Sequence, residues 1–131
     1  MHSEVKAMVD VCWPWVRDNT AWRFVGKSVE ITTPYLDRHN DFLQVYVSQR
    51  DGGYVLCDDG TTLGDLRTSG HDLDAPEKRA LLDTILNGLG VERTDDGVLR
   101  VVATVDNFSS KQHSLLQAML AIGNLSIFDG G

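Results

Sequence analysis

Two short polar runs carry the residue types that could do chemistry. Asp37-Arg38-His39-Asn40-Asp41 stands directly before the alternating apolar stretch at 42–47, and Cys57-Asp58-Asp59-Gly60 directly follows Tyr54-Val55-Leu56. If the two stretches form an antiparallel hairpin, the start of one strand lies beside the end of the other, and Asp41 meets Asp58 or Asp59 at one end of a sheet. Asp37, Asp41, Asp58 and Asp59, with the imidazole of His39, would then offer a hard, oxygen-rich site for Mg²⁺ or Mn²⁺. That set defines the alternative function, a divalent-metal-dependent nuclease or hydrolase. Two considerations weigh against it. Asp and Asn beside Gly are what hairpin ends and helix N-caps require, and Asp58-Asp59-Gly60 precedes a short helical pattern. A sheet-based metal nuclease also wants an acid-x-Lys pair on the second strand, where this chain has Tyr54-Val55-Leu56-Cys57. Turn and cap chemistry is therefore the preferred reading, and neither a metal nor a cofactor is assigned.

Other catalytic patterns are weaker. No Gly-x-Ser-x-Gly elbow occurs, and the glycines match no Walker A or dinucleotide fingerprint. Cys57 with His39 could be drawn as a thiol–imidazole pair, but Cys57 alternates within an apolar strand. His71 lies in a helix-ending loop, and His113 has no ligand partner at helical spacing. Cys12 and Cys57, each among apolar neighbours and without a CxxC pair, are expected to be buried, reduced thiols.

A third cluster is aromatic. Trp13, Trp15, Trp22 and Phe24 share one region with Arg17, Arg23 and Lys27. A solvated edge over an aromatic core is the favoured explanation, with Trp13 and Trp15 packing in the core and covering its edge. If the region binds, Trp with Arg is the composition of a protein hot spot, and Trp15 and Trp22 join the acidic residues as candidate contacts.

Those residues depend on the elements that carry them. Val5, Met8, Val9, Cys12, Trp13 and Val16 form a helical stripe, with a kink or restart expected at Pro14. Residues 22–24 and 29–33 predict a hairpin through Gly26-Lys27, and Pro34 demotes the residues after it to a sheet edge or a loop. Residues 42–47 and 54–57 predict the second hairpin, with Leu43, Val45 and Val47 on one face. Three capping pairs, Thr62/Asp65, Asp74/Glu77 and Ser109/Gln112, mark helix starts, with Pro76 in a first turn. Gly70, Gly90 and Asn124 mark helix ends. Asp95-Asp96-Gly97 is a turn between 91–93 and 98–105, which reads as a further hairpin or as one strand entered through a turn. The expected fold is a single α+β domain over 1–131, an antiparallel sheet of meander and hairpins with about four helices on one face.

Composition bounds the function classes. The chain has 131 residues, 42% hydrophobic and 24% charged, and a net charge of −7. That is a folded globule with room for one core. The acids are 15 Asp against 4 Glu, a bias toward turns and caps. Net acidity argues against direct nucleic-acid binding. The chain lacks a spanning apolar run and a secretory leader pattern, so a cytoplasmic protein without membrane contact is expected.

Thr33-Pro34-Tyr35-Leu36-Asp37-Arg38-His39-Asn40-Asp41, Val45-Tyr46-Val47, and Leu56-Cys57-Asp58-Asp59-Gly60-Thr61-Thr62-Leu63-Gly64-Asp65-Leu66 with Gly70 come one after another in a recognisable order. Arg79, Leu82, Ile85, Leu86, Gly90-Val91 and the 115–121 stretch Leu-Leu-Gln-Ala-Met-Leu-Ala continue it. From Ile31 to Asn124 this order resembles domain of unknown function family 1828, found in bacterial and prophage-borne proteins. Larger relatives carry a second domain, whose activity is not expected of this chain. The resemblance implies a bacterial or mobile-element setting, where small acidic proteins often modulate host defence.

The leading expectation is thus a small cytosolic protein-binding module, in its most specific form a phage-related, anti-CRISPR-like inhibitor of a bacterial defence nuclease. Its acidic loops would pair with a basic nucleic-acid channel on the partner. A homodimer through the 42–47 hairpin or the C-terminal apolar helix could also form.

Overall fold

A computed structural model describes residues 1–125. Residues 126–131, which the single-domain expectation also spanned, lie outside the described residues. The elements run α1 (His2–Asp10), α2 (Cys12–Asp18), β1 (Ala21–Val25), β2 (Ser28–Leu36), β3 (Phe42–Arg50), β4 (Gly53–Cys57), α3 (Thr61–Thr68), α4 (Pro76–Leu89), β5 (Glu92–Arg93), β6 (Leu99–Ala103) and α5 (Phe108–Gly123). All strand neighbours are antiparallel, in the order β1-β2-β3-β4-β6-β5. The fold is α+β, as expected.

Turn chemistry sets the meander. Gly26, at φ 60°, opens the two-residue β1–β2 turn, as a type II′ turn requires. Asp51 (φ 45°) and Gly52 (φ 80°) both take the left-handed conformation, the signature of a type I′ turn joining β3 to β4. Pairing Arg50 with Gly53 then fixes the register, and with it which side chains are inward.

Period-two alternation sorts the central sheet into two faces. Leu43 and Val45 of β3, Leu56 of β4, and Leu99, Val101 and Ala103 of β6 pack with Leu63, Leu66, Leu82, Leu86, Leu115, Met119 and Ile122 of α3–α5 in one buried cluster. The opposite face is polar. Arg23 Nε donates to Glu30 Oε1 at 2.8 Å, Tyr46 Oη donates to Glu30 Oε2 at 3.2 Å, and Gln44 Nε2 donates to Thr32 Oγ1 at 3.0 Å. The Arg23 hydrogen bond dominates the environment of Glu30 and holds its carboxyl below the ordinary value despite burial. No helix of the described residues is long and apolar enough to cross a membrane.

Several expectations are corrected. The N-terminal stripe forms two helices, because it breaks at Val11, before Pro14. Neither piece contains a buried residue, so the Val5–Val16 stripe is not core: α3–α5 already fill that face, and periodicity reveals an apolar side without saying what covers it. Cys12 is likewise exposed, and Cys57 half-buried; both are free thiols. Pro34 lies within its strand, and the residues after it form a sheet edge, as expected. β1 pairs with β2 only as far as Thr32, so the missing Pro34 N–H meets no strand on that side, and the β2–β3 register shifts between Thr32 and Leu36. The buried Thr33 hydroxyl holds this irregularity, donating to Leu43 O at 2.9 Å and accepting from the Tyr35 N–H at 3.3 Å. None of the three capping pairs forms. The N-cap residues are Gly60, Ala75 and Asn107, without side-chain cap hydrogen bonds. The Pro76, Gly90 and Asn124 positions are as expected.

Candidate functional site

The site arises from a length mismatch. β3 has nine residues and β4 five, and pairing ends at Tyr46↔Cys57, so residues 42–45 of β3 have no β4 partner. α3 enters beside that uncovered half-strand, and the end of α5 approaches from above. Between them lies a cavity of about 300 Å³, lined among others by Arg38, His39, Asp65, Thr62, Leu43 and Met119.

The loop before β3 is rigidly wound. Asp37 Oδ1 accepts the main-chain N–H groups of His39 (2.8 Å) and Asp41 (3.0 Å), while the Asp37 N–H donates to Asp41 O at 2.8 Å. Asn40 takes the left-handed conformation at φ 63°, which Asn tolerates better than most residues. This winding aims Arg38 and His39 at α3. Arg38 Nε donates to Asp65 Oδ2 at 2.8 Å and Nη2 reaches Ser69 Oγ, while His39 Nε2 lies 2.9 Å from Asp65 Oδ1. Burial pushes the Asp65 carboxyl up, but the hydrogen bonds from Arg38 and His39 together outweigh it and hold it below the ordinary carboxylate value.

Asp37, His39 and Asp41 line this cavity. Asp58 and Asp59 do not join them. Asp58 extends only to the level of residue 45, which leaves Asp41 about 13 Å further along the strand at ~3.3 Å per residue. Asp58 is fully buried, and its carboxylate is already saturated with main-chain donors. Oδ1 accepts the N–H of Gly60 (2.9 Å) and of Leu99 (2.9 Å), and Oδ2 that of Thr62 (3.1 Å). It therefore ties the start of α3 to β6 and is not free to bind a metal. Asp59 is exposed, at φ 61°. Among the described residues no group of three or more His, Cys, Asp or Glu side chains could hold a metal ion. Burial pushes the Cys57 thiol up, away from the thiolate a nucleophile needs.

Arg38 and Asp65 are the residues that sequence reasoning left out of the candidate set. Asp65 was assigned to a capping box with Thr62. Its spacing of four from Ser69, one helical turn, was the signal that both face one side.

A second set of exposed residues is carried by α1, α2 and β1. Trp13 is 71% exposed, Trp22 65% and Phe24 75%, and Trp15, Met8, Val9 and Val11 are also exposed. Trp22 and Phe24 stack edge to face on β1, with centroids 5.6 Å apart. The aromatic core expected beneath a solvated edge is therefore not found at Trp13, Trp15, Trp22 or Phe24.

Residues 33–122 match the family model described as domain of unknown function DUF1828. No curated protein and no solved structure matches the chain. The matched segment begins late in β2 and ends in α5, so it holds the loop, the half-strand and α3, while α1, α2 and β1 precede it. With the matched segment spanning the greater part of the sequence, the chain belongs to the DUF1828 family of domains of unknown function.

Proposed function

We propose that this protein is a small protein-binding module whose partner docks on the N-terminal surface formed by α1, α2 and β1. The observation that carries this reading is the exposure of Trp13, Trp15, Trp22 and Phe24 on these elements, outside the helices that close the core. Exposed clusters of large apolar side chains mark interaction sites, and Trp is the residue type most enriched at binding hot spots. These aromatic residues precede the family-matched segment, which supports a role in partner choice apart from the common scaffold.

In its most specific form the module is a mobile-element inhibitor of a bacterial defence nuclease, of the anti-CRISPR kind. The net charge of −7 supports this form, together with acidic residues Asp37, Asp41 and Asp59 that could oppose a basic nucleic-acid channel. The experiment places the protein in a bacterium whose defence nuclease targets an incoming phage. Wild type is expected to restore plaque formation, and Trp15→Glu with Trp22→Glu to abolish the rescue without loss of folded protein. Wild-type expression that never changes plaquing refutes the inhibitor form. Photo-crosslinkers at positions 15 and 22 that join no other protein in cells refute the binding module.

A further inference from the structure

We propose that β1 is a self-pairing edge and that a second copy of this chain docks there, through an antiparallel seam between the two β1 strands. The inference rests on the N-terminal surface being a protein-docking one. It names the occupant of the β1 part.

Among the described residues β1 is the free edge of the sheet, whereas the opposite edge strand, β5, has two residues. All five residues of β1 are exposed. The strand has no proline and no bulge, and its one charge is tied internally to Glu30, so the usual devices that prevent edge pairing are missing.

The ladder dictates how such an edge would pair. Val25↔Ser28 closes the two-residue turn, so Val25, Arg23 and Ala21 direct their main-chain groups toward β2, and Trp22 and Phe24 direct theirs outward. A two-fold axis at Arg23 sets Trp22 against Phe24 of the second copy, in both directions. That makes about four main-chain hydrogen bonds and joins two aromatic pairs on one face. The aromatic–Arg–aromatic order is self-complementary, as an isologous interface demands. Arg23 would face its own counterpart, but each is neutralised by Glu30 at 2.8 Å.

At the exposures observed, Trp22 and Phe24 offer on the order of 300 Å² of apolar surface per copy to the seam.

The test is sedimentation velocity on the full chain from about 1 to about 200 µM. Wild type is expected to shift toward about 29 kDa, twice the 14.5 kDa chain. Phe24→Pro removes an outward N–H that the intrachain ladder does not use, so it should stay monomeric with an unchanged circular dichroism spectrum. Trp22→Lys with Phe24→Lys gives the same readout should the proline variant fail to fold. A wild type that remains monomeric at the highest concentration overturns the proposal, as does a folded Phe24→Pro variant that still dimerises. A monomeric wild type that crosslinks to another protein at position 15 sinks the self-pairing inference alone. A β1-dependent dimer with no foreign crosslink sinks the heterologous partner alone.

Discussion

Asp58 offers the sharpest test of how this scaffold is held. Its carboxylate satisfies three main-chain N–H groups at 2.9, 2.9 and 3.1 Å, and its own N–H donates to Leu99 O at 3.1 Å. Replacement by alanine keeps the last bond and loses the other three. Of the abandoned donors, Leu99 and Thr62 belong to buried residues, and each orphaned group costs about 1–3 kcal/mol. Asp58→Ala should therefore cost about 2–6 kcal/mol, a large share of the roughly 5–15 kcal/mol that holds a domain of this size. Asp58→Asn retains one acceptor oxygen but turns an amide toward other donors, and should cost less, about 2–3 kcal/mol. Urea unfolding followed by far-ultraviolet circular dichroism measures both. A loss below about 1 kcal/mol for alanine would refute the reasoning, as would a gain in stability, which is the signature of an acid kept for a ligand at the expense of the fold.

Thr33→Val preserves shape but leaves Leu43 O and the Tyr35 N–H without the hydroxyl, and should lower stability by about 1–2 kcal/mol in the same assay. Glu30 and Asp65 both titrate below the ordinary carboxylate value, so the unfolded chain binds more protons than the folded one in acid. Their stabilisation is present in full above about pH 5 and is lost as pH falls through the folded values; the urea midpoint should drop there, and Glu30→Gln should flatten the drop. A double-mutant cycle on Arg38→Ala and Asp65→Ala should return a coupling of about 0.5–1 kcal/mol, since the pair is only partly buried. Trp13→Ala should change stability by less than about 0.5 kcal/mol, because its side chain meets mainly solvent.

Local chemistry made much of the meander legible. Gly26-Lys27 and Asp51-Gly52 are turn dipeptides whose backbone demands are met where they occur, and Leu43, Val45 and Val47 share a face as alternation requires. The site was legible in its loop, where Asp37, His39 and Asp41 do meet one cavity. It was not legible in its partner element. That Asp58 turns inward while Asp65 turns toward Arg38 depends on where β4 stops, and strand length is a tertiary outcome that no dipeptide encodes. The N-terminal stripe failed for a related reason. Its spacing is that of a buried helix, but burial is a property of the surface opposite, and α3–α5 had already taken that surface.

The bond from Asp58 to Leu99 joins residues 41 positions apart. Every strand pairing before it is a hairpin made between neighbours, so the first half of the sheet can assemble quickly from local contacts. β6 must instead arrive carrying α3, α4 and β5 in a closed loop, an ordering whose entropy is about 3 kcal/mol for a chain of that length. The latch at Asp58 thus guards the slow coordinate of folding. Asp58→Asn should lower the refolding rate, with the unfolding limb of the chevron nearly unmoved, if the junction is already closed at the barrier. If unfolding accelerates instead, β6 docks after the barrier, and the chain crosses it as a four-stranded meander still waiting for its last central strand.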